Sequence, residues 1–159
     1  MSGNGAPNLR IQDAADIRVV IVASQWHVEL MDALVAGAQL GCRDAGLTVD
    51  PLIIRVPGAF ELPVAASRLA MTGQFDAIVC LGLVIRGETP HFDYVCQGVT
   101  VGLTQVGVDS GIPIGFGLLT VDNEAQAFAR SGLPGSSENK GYEAAQAAIV
   151  TAVTLRAFD

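Results

Sequence analysis

Two kinds of apolar run alternate along this chain. One kind is short and almost unbroken: Ile17 to Ala23, Val49 to Val56, Asp76 to Leu83 and Ile112 to Leu119. Runs of that length with few polar breaks read as strands buried on both faces, as in a parallel sheet. Pro51 weakens the start of the second run and predicts that this end lies at a sheet edge. In the fourth run, Gly115 and Gly117 predict a close backbone approach by another element. The other kind of run spaces its apolar residues by three and four. From Val28 to Ala45 the stripe is Leu30, Met31, Leu34, Val35, Ala38 and Cys42, and Gly46 reads as the residue just past that helix. A second helix follows the Pro57 to Pro63 turn and continues to about Thr72. A third covers Phe92 to Ser110, with Phe92, Val95, Cys96, Val99, Leu103 and Val106 on one side. Asn123 to Ser131 reads as a short helix, Gly132 to Asn139 as a loop, and Lys140 to Phe158 as an alanine-rich helix whose small residues allow close packing.

Strand and helix alternate with short connections, so the predicted class is α/β: a three-layer α/β/α sandwich around a central four-stranded parallel sheet. Residues 17–159 make one domain, preceded by an arm, Met1 to Asp16, either free or laid on a neighbouring chain. No internal repeat or linker breaks the pattern. Half of the 159 residues are hydrophobic and few are charged. A fully covered sheet and surface lost to subunit contacts both account for this, and both are expected. The net charge of −7, with no basic cluster, excludes a nucleic-acid backbone as partner. Cys42, Cys80 and Cys96 form no CxxC pair and lie in apolar contexts, so they read as buried hydrophobes in a reducing compartment, with no metal site. There is no apolar signal core and no membrane-length apolar run, which predicts a cytoplasmic protein without a membrane partner.

The candidate chemistry gathers in three strand-ending turns: Trp26 after the first strand, Ala59-Phe60-Glu61 after the second, and Gly87-Glu88-Thr89-Pro90-His91 after the third. In a parallel sheet these turns share one edge, where open α/β folds place ligands. Thr89 suits an N-cap and Pro90 the first helical position, so the turn is either a seat for an anion or an ordinary capped helix. His91 can move protons near neutral pH or be a surface histidine. Trp26 can stack on a planar heterocycle or cap the core, and Phe60 and Phe116 raise the same choice. Glu61 lies in apolar company and needs a partner, a ligand donor being one candidate. Arg130 ends the short helix and Lys140 starts the last one. Each can reach a phosphate or remain a solvated charge.

Four blocks carry a resemblance: Val56-Pro57-Gly58-Ala59-Phe60-Glu61-Leu62-Pro63, Gly82 through Val95, Gly117-Leu118-Leu119-Thr120 and Glu138-Asn139-Lys140-Gly141. In this order and spacing they resemble the lumazine synthase family over nearly the whole chain, Ile17 to Phe158. The resemblance implies a flavodoxin-like fold and a cofactor-free transferase of riboflavin biosynthesis. It would condense 5-amino-6-(D-ribitylamino)uracil with 3,4-dihydroxy-2-butanone 4-phosphate to 6,7-dimethyl-8-ribityllumazine, phosphate and water. By position it implies His91 as general acid/base, and Gly87, Glu88 and Thr89 at the phosphate, with Arg130 supplied from the adjacent subunit. It implies Trp26 stacked on the pyrimidine, Ala59, Phe60 and Glu61 at the ribityl chain and ring, and Leu83, Val84 and Ile85 as backbone contacts. Phe116 from the neighbouring chain and Lys140 at the rim complete the set. Departures are mild: His27 stands where members often have Asn, and Glu143 where Asp is common. The loop Gly132 to Asn139 is longer than in members that close into sixty-subunit shells, which implies a homopentamer with active sites between subunits; riboflavin synthase is a further partner the family admits. Two other readings remain: a lumazine or flavin carrier or shell subunit of weak activity, and an FMN module of similar fold. The FMN reading lacks the Ser/Thr-rich phosphate loop after the first strand, where Ser24-Gln25-Trp26-His27 stands.

Overall fold

The computed structural model describes residues 11–158. Strands β1 (Val19–Ser24), β2 (Leu52–Val56), β3 (Ala77–Ile85) and β4 (Ile114–Val121) form one sheet, all parallel, in the order β2–β1–β3–β4. Helices α1 (Val28–Asp44), α2 (Leu62–Ala70), α3 (His91–Ser110), α4 (Glu124–Phe128) and α5 (Lys140–Leu155) connect and cover it. The chain leaves β1 for β2 on one side, then returns past β1 to β3 on the other. The β1/β3 gap is therefore the point where the winding reverses. The expected α/β/α sandwich with a flavodoxin-like parallel sheet is the observed fold, and β2, weakened by Pro51, is an edge strand.

The pleat divides the strand residues between two cores. Ile21, Ala23, Val79, Leu81, Leu119 and Val121 face α1, α4 and α5. Val20, Val22, Ile78, Cys80 and Leu118 face α2 and α3. Residues such as Ile21, Val22, Ile78 and Leu81 are fully buried, which is why the strands read as unbroken apolar runs rather than alternating ones.

The glycines foreseen in the fourth strand meet α5. A Cβ on Gly115 would lie 2.5 Å from the Ala144 carbonyl oxygen. On the same helix, a Cβ on Gly141 would lie 2.0 Å from the carbonyl oxygen of Leu34 in α1. There the buried Gln146 amide donates a 2.6 Å hydrogen bond to the Gly41 carbonyl, satisfying a polar group that would otherwise be costly to bury. α5 thus lies backbone-close to both β4 and α1, and its alanines let it.

Several boundaries differ from expectation. β3 and β4 each run two residues further, because the Arg86 N–H donates to the Val121 carbonyl at 2.9 Å and extends the ladder. Val84 and Ile85 are therefore strand rather than turn. α4 ends at Phe128, so Arg130 stands beyond the helix; Ser137 and Glu138 N–H groups both donate to the Ala129 carbonyl and turn the chain there. α2 stops at Ala70, and α5 gives way at Arg156 to a 3-10 turn. Of the expected arm, residues 1–10 lie outside the described residues. Residues 11–16 pack on their own domain: Ala14 is 2% exposed, and the Thr48 N–H donates to the Ala15 carbonyl.

Gly141→Ala should cost about 1–3 kcal/mol of stability, because its methyl group meets backbone that cannot swing aside. A urea titration by circular dichroism should show the midpoint fall; an unchanged midpoint would mean the two helices are not held at this distance.

Candidate active site

The C-terminal ends of β1, β2 and β3 bring the three predicted turns to one edge of the sheet. Trp26 follows β1 and is 69% exposed, which decides against its capping the core. His27, next in the chain, has φ 58° and ψ 59° at the start of α1. Histidine and asparagine are both among the few non-glycine residues that populate this left-handed region. His27 therefore suits the backbone that the Trp26 turn requires.

The second turn packs against the first. The indole edge of Trp26 lies beside Gly58: a Cβ built there would be 3.7 Å from Trp26 Nε1. Glu61 folds back so that Oε2 accepts a 2.8 Å hydrogen bond from the Gly58 N–H. The partner its apolar company demanded is thus the backbone, and the carboxylate stiffens a 3-10 turn, Ala59–Glu61, that opens α2. Ala59 is buried, while Phe60 is 62% exposed with its ring edge against Gly98 of α3. Phe60 thereby ties the second turn to the helix that begins with His91.

The third turn corrects one expectation. Helix α3 starts at His91, and Pro90 rather than Thr89 holds the N-cap position. The N–H groups of Asp93 and Tyr94 close on the Pro90 carbonyl, at 3.0 and 3.4 Å, which fixes the helix start one residue later. The Thr89 side chain makes no cap hydrogen bond and faces solvent with Gly87, Glu88 and His91. A helix start whose leading N–H groups and dipole point out of an open turn attracts an anion. Leu83 beneath is buried; Val84 and Ile85 are half-buried at the end of β3.

Phe116 stands apart from these turns. It pairs in register with Cys80, five residues before the Ile85–Val121 pair. It lies about 16 Å back along β4 at the usual rise per residue. Phe116 is 47% exposed and lines an open cavity of about 430 Å³ with Leu103, Val108, Ile114 and Leu155, away from Trp26 and His91. Arg130 donates from Nη1 to the Gln126 carbonyl at 2.9 Å. Its carbonyl accepts from the Lys140 N–H at 3.0 Å, which brings the two residues' backbones together. Lys140 is no solvated charge: its ammonium lies between the carboxylates of Glu138 and Glu143. That hydrogen bond from Lys140 holds the Glu138 carboxyl below the usual carboxylate range.

One group escaped reading from the sequence. Arg86, the first residue after β3, pairs with Asp122 after β4 and Asp93 in α3, and its guanidinium lies over the Phe92 ring. Spacings of 7 and 36 residues carry no local signal, so only the folded arrangement reveals it. Burial pushes the Cys42 thiol up to about 11 and that of Cys80 to about 12, so neither is a nucleophile at neutral pH. Among the described residues, no group of three or more His, Cys, Asp or Glu side chains is placed to hold a metal, and no helix is long and apolar enough to cross a membrane.

A model of the 6,7-dimethyl-8-ribityllumazine synthase family matches residues 16–156. The chain belongs to this family. It is 58% identical to the 6,7-dimethyl-8-ribityllumazine synthase of Streptomyces coelicolor, across 98% of this chain and 96% of that one. Identity to the enzyme of the same name from Kineococcus radiotolerans is 59%, covering 98% and 95%, and to that from Paenarthrobacter aurescens 55%, covering 99% of both. The resemblance seen in the four sequence blocks is thus a family relationship along the whole domain. The chain is a transferase of riboflavin biosynthesis that acts on small molecules.

The depressed Glu138 carboxyl predicts a pH signature for the loop beside Arg130. Stability from a depressed carboxyl is fully present above its unfolded value, near 4.5, and is lost as pH falls through the lower folded value. Wild type should therefore melt above Glu138→Gln between pH 6 and 8, and the gap should close below pH 4.5. A gap that persists in acid would place the effect elsewhere.

Proposed function

We propose that this chain condenses 5-amino-6-(D-ribitylamino)uracil with 3,4-dihydroxy-2-butanone 4-phosphate to give 6,7-dimethyl-8-ribityllumazine. The observation that carries the reading is the convergence of the three turns at the β1/β3 edge: an exposed indole, a turn stiffened by Glu61 and a helix start suited to an anion. The uracil stacks on Trp26, with Leu83, Val84 and Ile85 offering backbone groups to its edge. Ala59, Phe60 and Glu61 hold the ribityl chain. The phosphate seats on Gly87, Glu88 and Thr89 at the start of α3.

The primary amine attacks the ketone and loses water to form a Schiff base. Loss of a carbon-bound proton and departure of phosphate follow. The ribityl-bearing nitrogen then closes the ring with loss of a second water. His91 gives and takes these protons. Phosphate is both handle and leaving group, so donors that hold it also ease its departure. Bringing amine and ketone together is mainly a proximity task, and no cofactor is needed.

We further propose that the site is shared between subunits of a homopentamer, in a reducing, cytoplasmic compartment. The distance of Phe116 along β4 from the strand end that leads to His91 supports this, as do the exposed apolar Val108, Phe116 and Tyr94. A neighbour would then bring Phe116 to the ring, Arg130 to the phosphate and Lys140 to the rim.

Purified chain mixed with both substrates should form lumazine, followed by its fluorescence, well above the spontaneous rate. His91→Ala should slow turnover roughly 10²-fold without abolishing it, because positioning survives. No acceleration by the native chain would sink the assignment. Arg130→Ala and His91→Ala chains, co-refolded in equal amounts, should regain activity at about a quarter of their sites. No recovery, in assemblies that light scattering shows to be pentamers, would exclude a shared site.

A further inference from the structure

We propose that Arg86 is a positioning residue for the reaction: it clamps the end of β3 to the start of α3 and the end of β4, and so fixes the turn 87–91 without touching substrate. The proposal rests on the reading of that turn as the phosphate seat and deepens it.

The turn has little else to hold it. Gly87, Glu88, Thr89 and Pro90 are exposed, and a Cβ on Gly87 would meet nothing within 4 Å. Its two ends are anchored instead. On the strand side, the Arg86 N–H donates to the Val121 carbonyl at 2.9 Å. From the same residue the side chain reaches both neighbouring elements: Nε donates to Asp122 Oδ1 at 2.9 Å, and Nη1 to Asp93 Oδ1 at 3.2 Å. Its guanidinium lies 4.1 Å from the centre of the Phe92 ring, and Phe92 is buried in the first turn of α3. Asp93 and Phe92 directly follow His91. One planar side chain therefore spans the turn and sets the distance between the end of β3 and the helix start that carries His91.

Arginine at the edge of a phosphate turn would ordinarily be taken for a phosphate ligand. Here its donors point at two carboxylates and one face is against a ring, so it is already engaged. Lysine would keep the charge but could neither reach two carboxylates from a planar fork nor stack in the same way. The clamp also sets a charge balance. Without Arg86, Asp93 and Asp122 would be uncompensated beside the seat for an anion. Geometry and charge separate experimentally, because Arg86→Lys retains only the second.

The test uses the full chain in its native assembly. Steady-state kinetics are measured for wild type, Arg86→Ala and Arg86→Lys, with competition by inorganic phosphate as an independent reading of the seat. Arg86→Ala should assemble normally yet lose about tenfold or more in kcat, since small misplacements of reacting groups cost rates of that order. KM for the phosphate substrate should rise several-fold while KM for the aminouracil hardly moves. Arg86→Lys should recover only a minor part. Arg18→Ala, which breaks the exposed pair with Asp76 at the opposite edge of the sheet, is the control and should leave the kinetics unchanged. Kinetics of Arg86→Ala within twofold of wild type, or full recovery by Arg86→Lys, would overturn the clamp. If Arg86→Ala fails to assemble, Asp93→Asn and Asp122→Asn each remove one jaw and should show the same KM split; its absence in both overturns the proposal. Phosphate that competes equally with wild type and Arg86→Ala removes the clamp alone. Phosphate that fails to compete with the phosphate substrate in wild type removes the seat, and the clamp with it.

Discussion

Everything in this fold depends on four strands running the same way. A parallel sheet cannot be closed by tight turns, so each strand must hand the chain to a covering helix, and every strand-to-helix turn falls on one edge. With the order β2–β1–β3–β4, the first two such helices leave on opposite sides of β1 and the sheet edge opens between β1 and β3. Trp26, Glu61 and His91 lie at that edge because each follows the C-terminal end of a parallel strand.

The cost of the arrangement is that both faces of the sheet must be covered by helices lying close. The small residues provide the closeness. Gly115 lets the α5 backbone come down on β4, and Gly141 lets the same helix touch α1. A sheet so tightly covered makes a rigid floor, and the turns above it can be open and polar without loss of precision. Glu61 accepting from Gly58, Phe60 against Gly98 and Arg86 between two aspartates are three local braces of that kind. Each uses a side chain to hold backbone rather than to meet a ligand.

Membership in the 6,7-dimethyl-8-ribityllumazine synthase family and the exposed apolar residues on α3 and β4 bear on one another. Tyr94, Val101, Val108 and Phe116 would be a large apolar burden for a lone chain. Apolar surface of this extent fits the oligomeric assembly typical of the family.

The strand runs, the helical stripes and the short connections determined the architecture, because burial on both faces leaves short unbroken apolar runs whose length and flanking turns mark them as strands. Pro51 told of an edge strand, and Gly115 of a close approach. The four blocks pointed to the family. What the sequence did not decide was which partner each polar group takes. Glu61 turned to a backbone N–H and Lys140 to two glutamates, while Thr89 was displaced from its cap by a helix that begins one residue later. Arg86, although inside one of those blocks, gave no sign of its partners. Strand and helix periodicity is a local property, repeated every two or four residues, and can be read along the chain. Hydrogen-bond and ion-pair choices are made across space between residues dozens of positions apart, and only the folded sheet brings Arg86, Asp93 and Asp122 to one place.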